Sequence, residues 1–373
     1  MKQLVRRPDR SLVKQLKDLI LEQIRTGKLA PGDKVPSERE LTLMYGVSRA
    51  TARNTILGLA NDGLVTRSVG SGTYVAADAR LDRATASETG TIGFLVGRQH
   101  VPVRSIQDDF YYYKVMEGIQ GTLRESRRHL LFSYLDDDDK ENREIVAGLE
   151  GKVDGVLLAE ASSTSLVGDI HERGLPCVLI NPSVDDIDQR FDSLAVNNRS
   201  GAHKAIAYLI GLGHRRIGCL RGPAASLAAQ DRFDGYLRAL QENRIPFDDK
   251  LVVPLDGWTS QDGSEGIRTL MDKAPDITAV FCASDTLALG AMAGVKGVRK
   301  VPEELSVIGF DDISLSSHSA PPLTTVHSPT FDLGKHAGKQ LLNRIRNRGL
   351  LVTRVLLSPE LKVRESCARP LKP

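Results

Sequence analysis

The segment from residue 36 to residue 75 constrains the fold of this chain more than any other. Ser37 followed three residues later by Glu40 forms a capping box, in which a hydroxyl and a carboxylate satisfy free backbone N–H groups at the start of a helix. Leu41 and Met44 are expected to form the apolar face of this helix. The segment therefore begins with a short, well-capped helix.

A second helix is predicted directly after a tight turn. Gly46 is expected to end the first helix, because glycine readily adopts the left-handed conformation of a helix stop, and Ser48 is a suitable N-cap for the next one. Three apolar residues recur at i, i+4 and i+7 and are expected to face a core, namely Ala52, Ile56 and Leu59. The outer face then carries Arg49, Thr51 and Arg53. This arrangement is typical of a helix-turn-helix, whose second helix enters the major groove of DNA.

A β-hairpin is predicted immediately after the second helix. Residues 64–69 and 73–75 are rich in β-forming side chains and flank the sequence Gly70-Ser71-Gly72. A hairpin in this position would be a wing, and its glycines would let the backbone approach DNA closely.

Residues 11–75 resemble the winged helix of the GntR family of bacterial transcription regulators. The resemblance rests on ordered motifs, namely PGD at 31–33, PSEREL at 36–41, VSR at 47–49, GLV at 63–65 and GSGT at 70–73. It implies DNA contacts at Arg39, Ser48, Arg49, Thr51, Arg53 and the wing tip at Gly70. The chain departs from the usual pattern of the family at Ala52, Asn54 and Thr55.

The positive charge of the chain is concentrated in this segment. Residues 1–77 contain 13 Lys and Arg against 7 Asp and Glu, whereas the remainder contains 37 against 40. Contact with phosphates requires such an excess, although a solvated basic surface would give the same balance. The four cysteines are scattered without metal-ligand spacing, so reduced thiols and no metal site are expected. With no signal peptide and no apolar run of spanning length, the sequence predicts a cytoplasmic protein that does not enter a membrane.

From Thr91 onward the sequence predicts an α/β fold. Short apolar runs alternate with helix-length segments, and strands are predicted at 92–96, 130–135, 155–159, 177–180, 217–220, 252–255, 279–282 and 307–310. Continuous apolar strands that alternate with helices indicate parallel sheets covered on both faces. About 270 residues of such units exceed one core, so two lobes are expected. The predicted domains are a winged helix-turn-helix at 1–76, a linker at 77–90 and a two-lobed domain at 91–373.

Residues 91–365 resemble the effector domain of LacI/GalR-type repressors, which is related to periplasmic sugar-binding proteins. The resemblance rests on NNRSG at 197–201, LGHRRI at 212–217, SDTLALG at 284–290, VPEELSVIGFDD at 301–312 and PPLTTV at 321–326. The usual LacI-type DNA-binding head is replaced by the GntR-like one. This combination is similar to the arabinose-responsive repressors of Gram-positive bacteria.

Several polar residues follow the predicted strands, where open parallel sheets bind their ligands. Glu160, Asp285 and Asp311 each follow a strand, and a carboxylate accepts hydrogen bonds from adjacent sugar hydroxyls. Arg232 could add donors, and Trp258, the only tryptophan, could offer a flat face to a sugar ring. Plainer roles stay open, because Asp often caps helices and Trp often packs in cores.

The LacI-type resemblance implies effector contacts at seven positions, namely Asp108, Tyr111, Glu160, Arg232, Trp258, Asp285 and Asp311. Together the two resemblances imply a ligand-responsive transcription regulator, most simply a repressor of carbohydrate utilisation genes. A homodimer would bind double-stranded operator DNA and be released from it by a small sugar, without a cofactor.

Three alternative functions stand beside this one. An enzyme of the doubly wound class is disfavoured, because the sequence contains no nucleophile elbow, phosphate-binding loop or dinucleotide fingerprint. A secreted solute-binding protein is disfavoured by the basic head and the missing signal peptide. A regulator that responds to a nucleoside or purine, or that uses its ligand as a corepressor, stays open.

Overall fold

The computed structural model describes residues 12–68, 72–76, 89–97, 110–135, 138–160, 163–182 and 191–371. These residues form two compact units. The first comprises the chain up to Thr89 with Gly151–Asp154 and Leu342–Leu351, and the second comprises the remainder. The predicted linker at 77–90 lies almost entirely outside the described residues, so the domain boundaries stay a prediction.

The first unit contains the predicted winged helix. The elements in chain order are α1 (Leu12–Arg25), β1 (Lys34–Val35), α2 (Glu38–Tyr45), α3 (Arg49–Asn61), β2 (Val65–Ser68) and β3 (Gly72–Val75). The three strands form a small antiparallel sheet in the order β1-β3-β2, and β2 and β3 form the predicted hairpin directly after α3.

One core holds the three helices of this unit together. Ala52, Ile56 and Leu59 of α3 are buried in it as predicted. The expectation that Met44 joins Leu41 on the buried face is wrong, because Met44 is 46% exposed and Tyr45 is buried instead. At 100° per residue, position i+4 lies closer to the direction of residue i than position i+3 does, and a helix of eight residues buries only a narrow stripe.

The first lobe of the second unit is built on a six-stranded parallel sheet. Its strand order is β14-β8-β7-β6-β4-β5. The fully apolar strands in its centre are buried along their length, as expected for a sheet covered on both faces. Its elements are β4 (Thr91–Gly97), α4 (Phe110–Glu125), β5 (His129–Leu135), α5 (Asp139–Gly148), β6 (Gly155–Ala159), α6 (Thr164–Glu172), β7 (Cys177–Ile180), β8 (Asp192–Val196), α11 (Thr330–Arg346) and β14 (Arg354–Leu357).

The second lobe is built on another six-stranded sheet, in the order β10-β9-β11-β12-β13-β15. All neighbours are parallel except β13 and β15. Apolar residues of α7 and α8 pack on one face, and those of α9 and α10 pack on the other. Its elements are α7 (Asn198–Gly211), β9 (Ile217–Arg221), α8 (Leu227–Glu242), β10 (Val252–Pro254), α9 (Ser260–Lys273), β11 (Ala279–Cys282), α10 (Asp285–Gly294), β12 (Ser306–Asp311), β13 (Thr324–His327) and β15 (Glu360–Lys362).

The chain passes between the two lobes three times. It crosses from β8 to α7, from β13 to α11 and from β14 to β15. The first and third crossovers touch, because the N–H of Asn197 donates to the carbonyl of Leu357 over 2.9 Å. Within the described residues, no helix is long and apolar enough to span a bilayer.

Candidate functional site

The recognition helix α3 is fixed at its start by the predicted cap. The Ser48 hydroxyl accepts the N–H of Thr51 over 3.1 Å and lies 2.8 Å from the Thr51 hydroxyl. The preceding helix is fixed in the same way, since Ser37 and Glu40 form both hydrogen bonds of the capping box and Gly46 adopts a φ of 69°. The turn between the helices is therefore set by local sequence, and Ser48 and Thr51 support the helix start.

Three arginines of this unit are available for DNA. Arg39, Arg49 and Arg53 are exposed, and within the described part of the chain none of them pairs with an acidic side chain. By contrast, Arg67 on the wing pairs with Glu38 at the start of α2 over 2.8 Å. Arg49 and Arg53 lie at the start of the recognition helix, where free guanidinium groups suit contacts with bases and phosphates, and Arg39 lies on the preceding helix α2. Gly70, predicted at the wing tip, lies outside the described residues.

In the second unit, Arg232 lies at the carboxyl end of the second-lobe sheet. It projects from α8 and is 5% exposed. Its Nη2 donates to Asp311 Oδ1 over 2.9 Å, its Nη1 donates to the carbonyl of Ala283, and its Nε donates to Asn198 Oδ1 over 2.9 Å. Burial raises the pKa of the Asp311 carboxyl, and the Arg232 charge opposes this rise. The pair is thus a buried, hydrogen-bonded ion pair at the edge where ligands bind parallel sheets.

Two aromatic rings frame the guanidinium group of Arg232. Its carbon lies 3.9 Å from the centre of the Phe310 ring and 5.9 Å from that of the Trp258 ring. The Trp258 indole rests against Gly222, where a β-carbon would come within 2.3 Å of the ring. Trp258 also packs on the edge of the α9 and α10 core, so it has both the packing role and the position beside the candidate site that the sequence suggested.

Asp285 is buried completely and is bound by the protein itself. Its carboxylate accepts the N–H of Ile313 over 2.9 Å and the hydroxyls of Ser316 and Thr325. Burial raises the pKa of the Asp285 carboxyl to about 7, and the charge of Asp311 adds to this rise. These contacts are those of a residue that fixes the loop after β12. Direct contact between Asp285 and an effector stays a prediction.

The first lobe contributes a linked set of polar side chains at the carboxyl ends of its strands. Tyr112 donates its hydroxyl to Glu160 over 2.5 Å. Asn181, after β7, donates to the Tyr111 oxygen over 2.9 Å and to the Tyr112 oxygen over 3.4 Å, and its own oxygen accepts the N–H of Val196. The two tyrosine rings meet edge to face, so Asn181 joins three elements of this lobe.

These two sets of residues lie near each other. Burial and, next, the negative charge of Asp311 raise the pKa of the Tyr111 hydroxyl, and the charge of Arg232 opposes the rise. The Tyr111 hydroxyl of the first lobe is therefore close enough to the Arg232–Asp311 pair of the second lobe for the charges of that pair to affect its pKa. The structure thus brings together Tyr111, Glu160, Arg232, Trp258, Asp285 and Asp311. Asp108 lies outside the described residues, and the binding roles of all these residues stay predictions.

Sequence reasoning missed Asn181 in this region, and it assigned no individual role to Tyr112 or Asn198, although Asn198 lies in the NNRSG motif at 197–201. Asn181 follows an apolar strand, the same signal that identified Asp285. The signal was available for Asn181, but an Asn before a Pro is also a common turn residue. Asn198 begins α7, and a polar residue at the start of a helix does not by itself indicate a binding role.

A winged helix that precedes a two-lobed domain with polar side chains at the carboxyl ends of its strands is the arrangement of a transcription regulator with its own ligand sensor. Two family profiles match this division. Bacterial regulatory proteins of the gntR family match residues 12–75, and the periplasmic binding protein-like domain matches residues 206–367.

Relatives with known roles place the chain more narrowly. It is 32% identical over 282 residues to the ribose operon repressor of Haemophilus influenzae, an alignment that covers 75% of this chain and 81% of the relative. The solved structure of the regulator CelR in complex with cellobiose is 28% identical to this chain with a TM-score of 0.68, and the match covers 89% of this chain and 100% of the CelR chain. The structure of a LacI-family regulator from Enterococcus faecium with bound ribose is 26% identical with a TM-score of 0.65, and the match covers 75% of this chain and 99% of that regulator.

The chain belongs to the LacI family of transcriptional repressors and carries a DNA-binding head of the gntR type. Its function is that of a ligand-responsive transcriptional repressor, and it is not an enzyme. The fold, the family and the regulatory function expected from the sequence are confirmed.

Proposed function

We propose that this repressor is released from its operator by a small carbohydrate bound between the two lobes of its sensor. One observation carries the proposal: the buried Arg232–Asp311 pair and the Tyr111 hydroxyl come from opposite lobes, and they are near enough for the charge of Asp311 to raise the pKa of the phenol after burial does. A ligand that hydrogen-bonds to both would favour one arrangement of the lobes. The sugars bound by CelR and by the Enterococcus faecium regulator support a carbohydrate as the class of ligand.

The chemistry of the cleft also favours a carbohydrate. Carboxylates at Glu160 and Asp311 and the donors of Arg232 match neighbouring hydroxyls, which both donate and accept. The Trp258 ring offers an apolar surface to the C–H face of a sugar. A base of a nucleoside could stack on the same ring, which is why nucleosides belong in the same test.

Direct binding tests this assignment. The thermal midpoint of the full chain is measured with D-ribose, L-arabinose, D-cellobiose, adenosine and hypoxanthine, because a ligand of the folded state raises it by mass action. We expect at least one sugar to raise the midpoint and the nucleoside and purine to leave it unchanged. Stabilisation by adenosine or hypoxanthine alone would overturn the carbohydrate assignment.

We further propose that residues 1–76 bind DNA and that residues 91–373 bind the effector and form a homodimer in the cytoplasm. Two copies related by a two-fold axis would present two heads to operator half-sites separated by whole helical turns. Exposed aromatic side chains at the starts of α4 and α11, namely Phe110, Tyr113 and Phe331, give this unit an apolar surface that a second copy could cover.

Light scattering after size exclusion tests the dimer. We expect a dimeric mass for the wild-type chain and a monomeric mass for Phe331→Asp. Phe247→Asp, at another exposed phenylalanine of the same unit, is the matched control and should stay dimeric. A monomeric wild type would contradict the proposal.

A further inference from the structure

Two adjacent acidic residues lie at the end of strand β12, and both have unusual backbone conformations. Asp311 has a φ of 110° and Asp312 a φ of 58°. Residues other than glycine seldom adopt positive φ, and such strain persists only where surrounding contacts enforce it. The contacts made by the two side chains should therefore show what holds this dipeptide in place.

The first carboxylate lies at the carboxyl end of the second-lobe sheet. Asp311 binds the guanidinium group of Arg232, which in turn donates to Asn198. Asn198 is the first residue of α7 and directly follows the first crossover. Asp311 is thus linked through one side chain to the point where the chain enters the second lobe.

The second carboxylate points to different partners. Asp312 Oδ2 lies 3.0 Å from His327 Nδ1, and Asp312 Oδ1 lies 2.5 Å from Arg364 Nη2. His327 ends β13 immediately before the second crossover, and Arg364 follows β15, which the third crossover enters. The Asp312 side chain is only 14% exposed, so it is held where two crossovers meet the sheet.

Arg364 is itself anchored to the sheet. Its Nη1 donates to the carbonyl of Leu323 over 2.8 Å, and its backbone N–H donates to the Thr324 hydroxyl over 2.9 Å. Burial raises the pKa of the Asp312 carboxyl, but the hydrogen bonds from His327 and Arg364 outweigh burial, and the pKa lies below its usual range. The ionised carboxylate is therefore the form that the folded protein holds.

We propose that Asp312 is a positioning residue for the effector site, which through His327 and Arg364 fixes the backbone that aims Asp311 into the cleft. The proposal rests on the proposed function in one respect, namely that Asp311 contacts the effector. The set Asp311, Asp312, Arg232, His327 and Arg364 then forms a continuous polar link from the cleft to all three crossovers. Closure of the lobes must bend those crossovers, so Asp312 couples their geometry to the ligand-binding carboxylate.

The single tryptophan supplies a test that needs no effector. Trp258 lies 5.9 Å from the Arg232 guanidinium, and it is the only tryptophan in the chain. Release of Asp312 would let Asp311 relax and Arg232 shift, so the tryptophan emission and its quenching by acrylamide should change. A role in stability alone would lower the unfolding temperature without altering the emission of the folded protein.

The experiment compares three variants of the full, ligand-free chain. Asp312→Asn removes the charge, and Asp248→Asn is the matched control, because Asp248 also pairs with an arginine, Arg216, in the same lobe over 2.7 Å. Asp248 precedes β10 and so lies at the opposite end of the sheet from Asp312. His327→Gln removes one partner at a half-exposed site, and it serves if Asp312→Asn does not fold.

We expect Asp312→Asn to shift the emission maximum and change acrylamide quenching, His327→Gln to do so in the same direction by less, and Asp248→Asn to match wild type. Wild-type spectra for both Asp312→Asn and His327→Gln would overturn the proposal, as would a wild-type spectrum for His327→Gln where Asp312→Asn does not fold. An equal shift for Asp248→Asn would overturn it as well.

Titration with D-ribose separates this inference from the proposed function. If wild type binds D-ribose, Asp312→Asn should bind it about tenfold more weakly, within the range for residues that act on a site without touching the ligand. Unchanged affinity for D-ribose would contradict the positioning role. If wild type binds none of D-ribose, L-arabinose and D-cellobiose but the emission shift is present, the carbohydrate assignment fails and the positioning of Asp311 stands.

Discussion

Arg232 is bound on nearly every side by the protein. Within the described residues, its partners occupy the Nε donor, both Nη1 donors and one Nη2 donor, which leaves one of its five N–H groups for a ligand. The arginine thus acts chiefly by orienting Asp311 and by lending positive charge to the cleft. An effector would complete its hydrogen bonding.

Replacement of this residue is the first prediction. Arg232→Ala should abolish the response to effector while the affinity for operator stays unchanged, because the side chain lies in the sensor. It should also destabilise the fold by about 3–5 kcal/mol, since Asp311 is left buried without its partner. Urea unfolding and operator titration with and without sugar measure both effects.

Arg199→Ala is the control, because it breaks exposed pairs with Asp231 and Asp234 and should cost at most about 1 kcal/mol of stability. A normal response from Arg232→Ala would move the site elsewhere.

Asp285 gives a prediction about pH. Its carboxyl has a pKa of about 7 in the folded chain and an ordinary value of 3.8. The folded state therefore binds more protons than the unfolded state between these values, so this residue's contribution to stability is greatest at low pH and falls as pH rises from about 4 to about 7. Asp285→Asn should flatten that fall in the free energy of unfolding, measured by urea titration across the range. The surface variant Asp234→Asn should keep the wild-type dependence of the unfolding free energy on pH. If the free energies of wild type and Asp285→Asn change with pH in parallel, the carboxyl of Asp285 is not the source of this dependence.

At the scale of elements, we expect the recognition helix α3 to determine the specificity for the operator. Arg49→Ala should weaken operator binding by about 1–3 kcal/mol and relax the base preference at one position, if the guanidinium makes a two-pronged contact with a guanine. Fluorescence anisotropy with the preferred duplex and its single-base variants measures this. Arg124→Ala, an exposed arginine on α4, is the control. If Arg49→Ala binds the operator as tightly as wild type does, Arg49 is not one of the residues that contact bases.

Elements with strong local signals were predictable from sequence. The capping box at Ser37, the stop at Gly46 and the cap at Ser48 set α2 and α3, and the structure has all three as expected. Four-residue apolar runs such as Cys177–Ile180 became buried central strands, because a sheet covered on both faces needs no alternation.

Elements whose position depends on distant partners were not predictable. Four strands of the second unit were missed, namely β8, β13, β14 and β15. Of these, β14 is largely exposed at the sheet edge, and β13 is short and follows a proline-rich turn. The contacts of the site were also out of reach. The link from Asn181 to two tyrosines 69 and 70 residues away, and the link from Asp312 to Arg364, exist only once the sheets assemble.

At the scale of the whole molecule, release by a sugar requires that effector binding and operator binding be coupled. Effector and operator must each weaken the binding of the other by the same factor, because linkage between two equilibria is reciprocal. The typical coupling of about 1–3 kcal/mol corresponds to roughly 5–150-fold. The charge excess of the head makes the operator affinity fall with salt, so both measurements need the same ionic strength.

The most direct measurement is the affinity of the full chain for its operator with and without sugar. The duplex is selected from random sequence by the protein, and its dissociation constant is measured by anisotropy at fixed salt with D-ribose, L-arabinose and D-cellobiose. We expect a sugar that stabilises the chain to weaken operator binding by roughly 5–150-fold in wild type and not in Arg232→Ala. Operator binding that all three sugars leave unchanged, or that a bound sugar tightens, would contradict the proposed release by a carbohydrate.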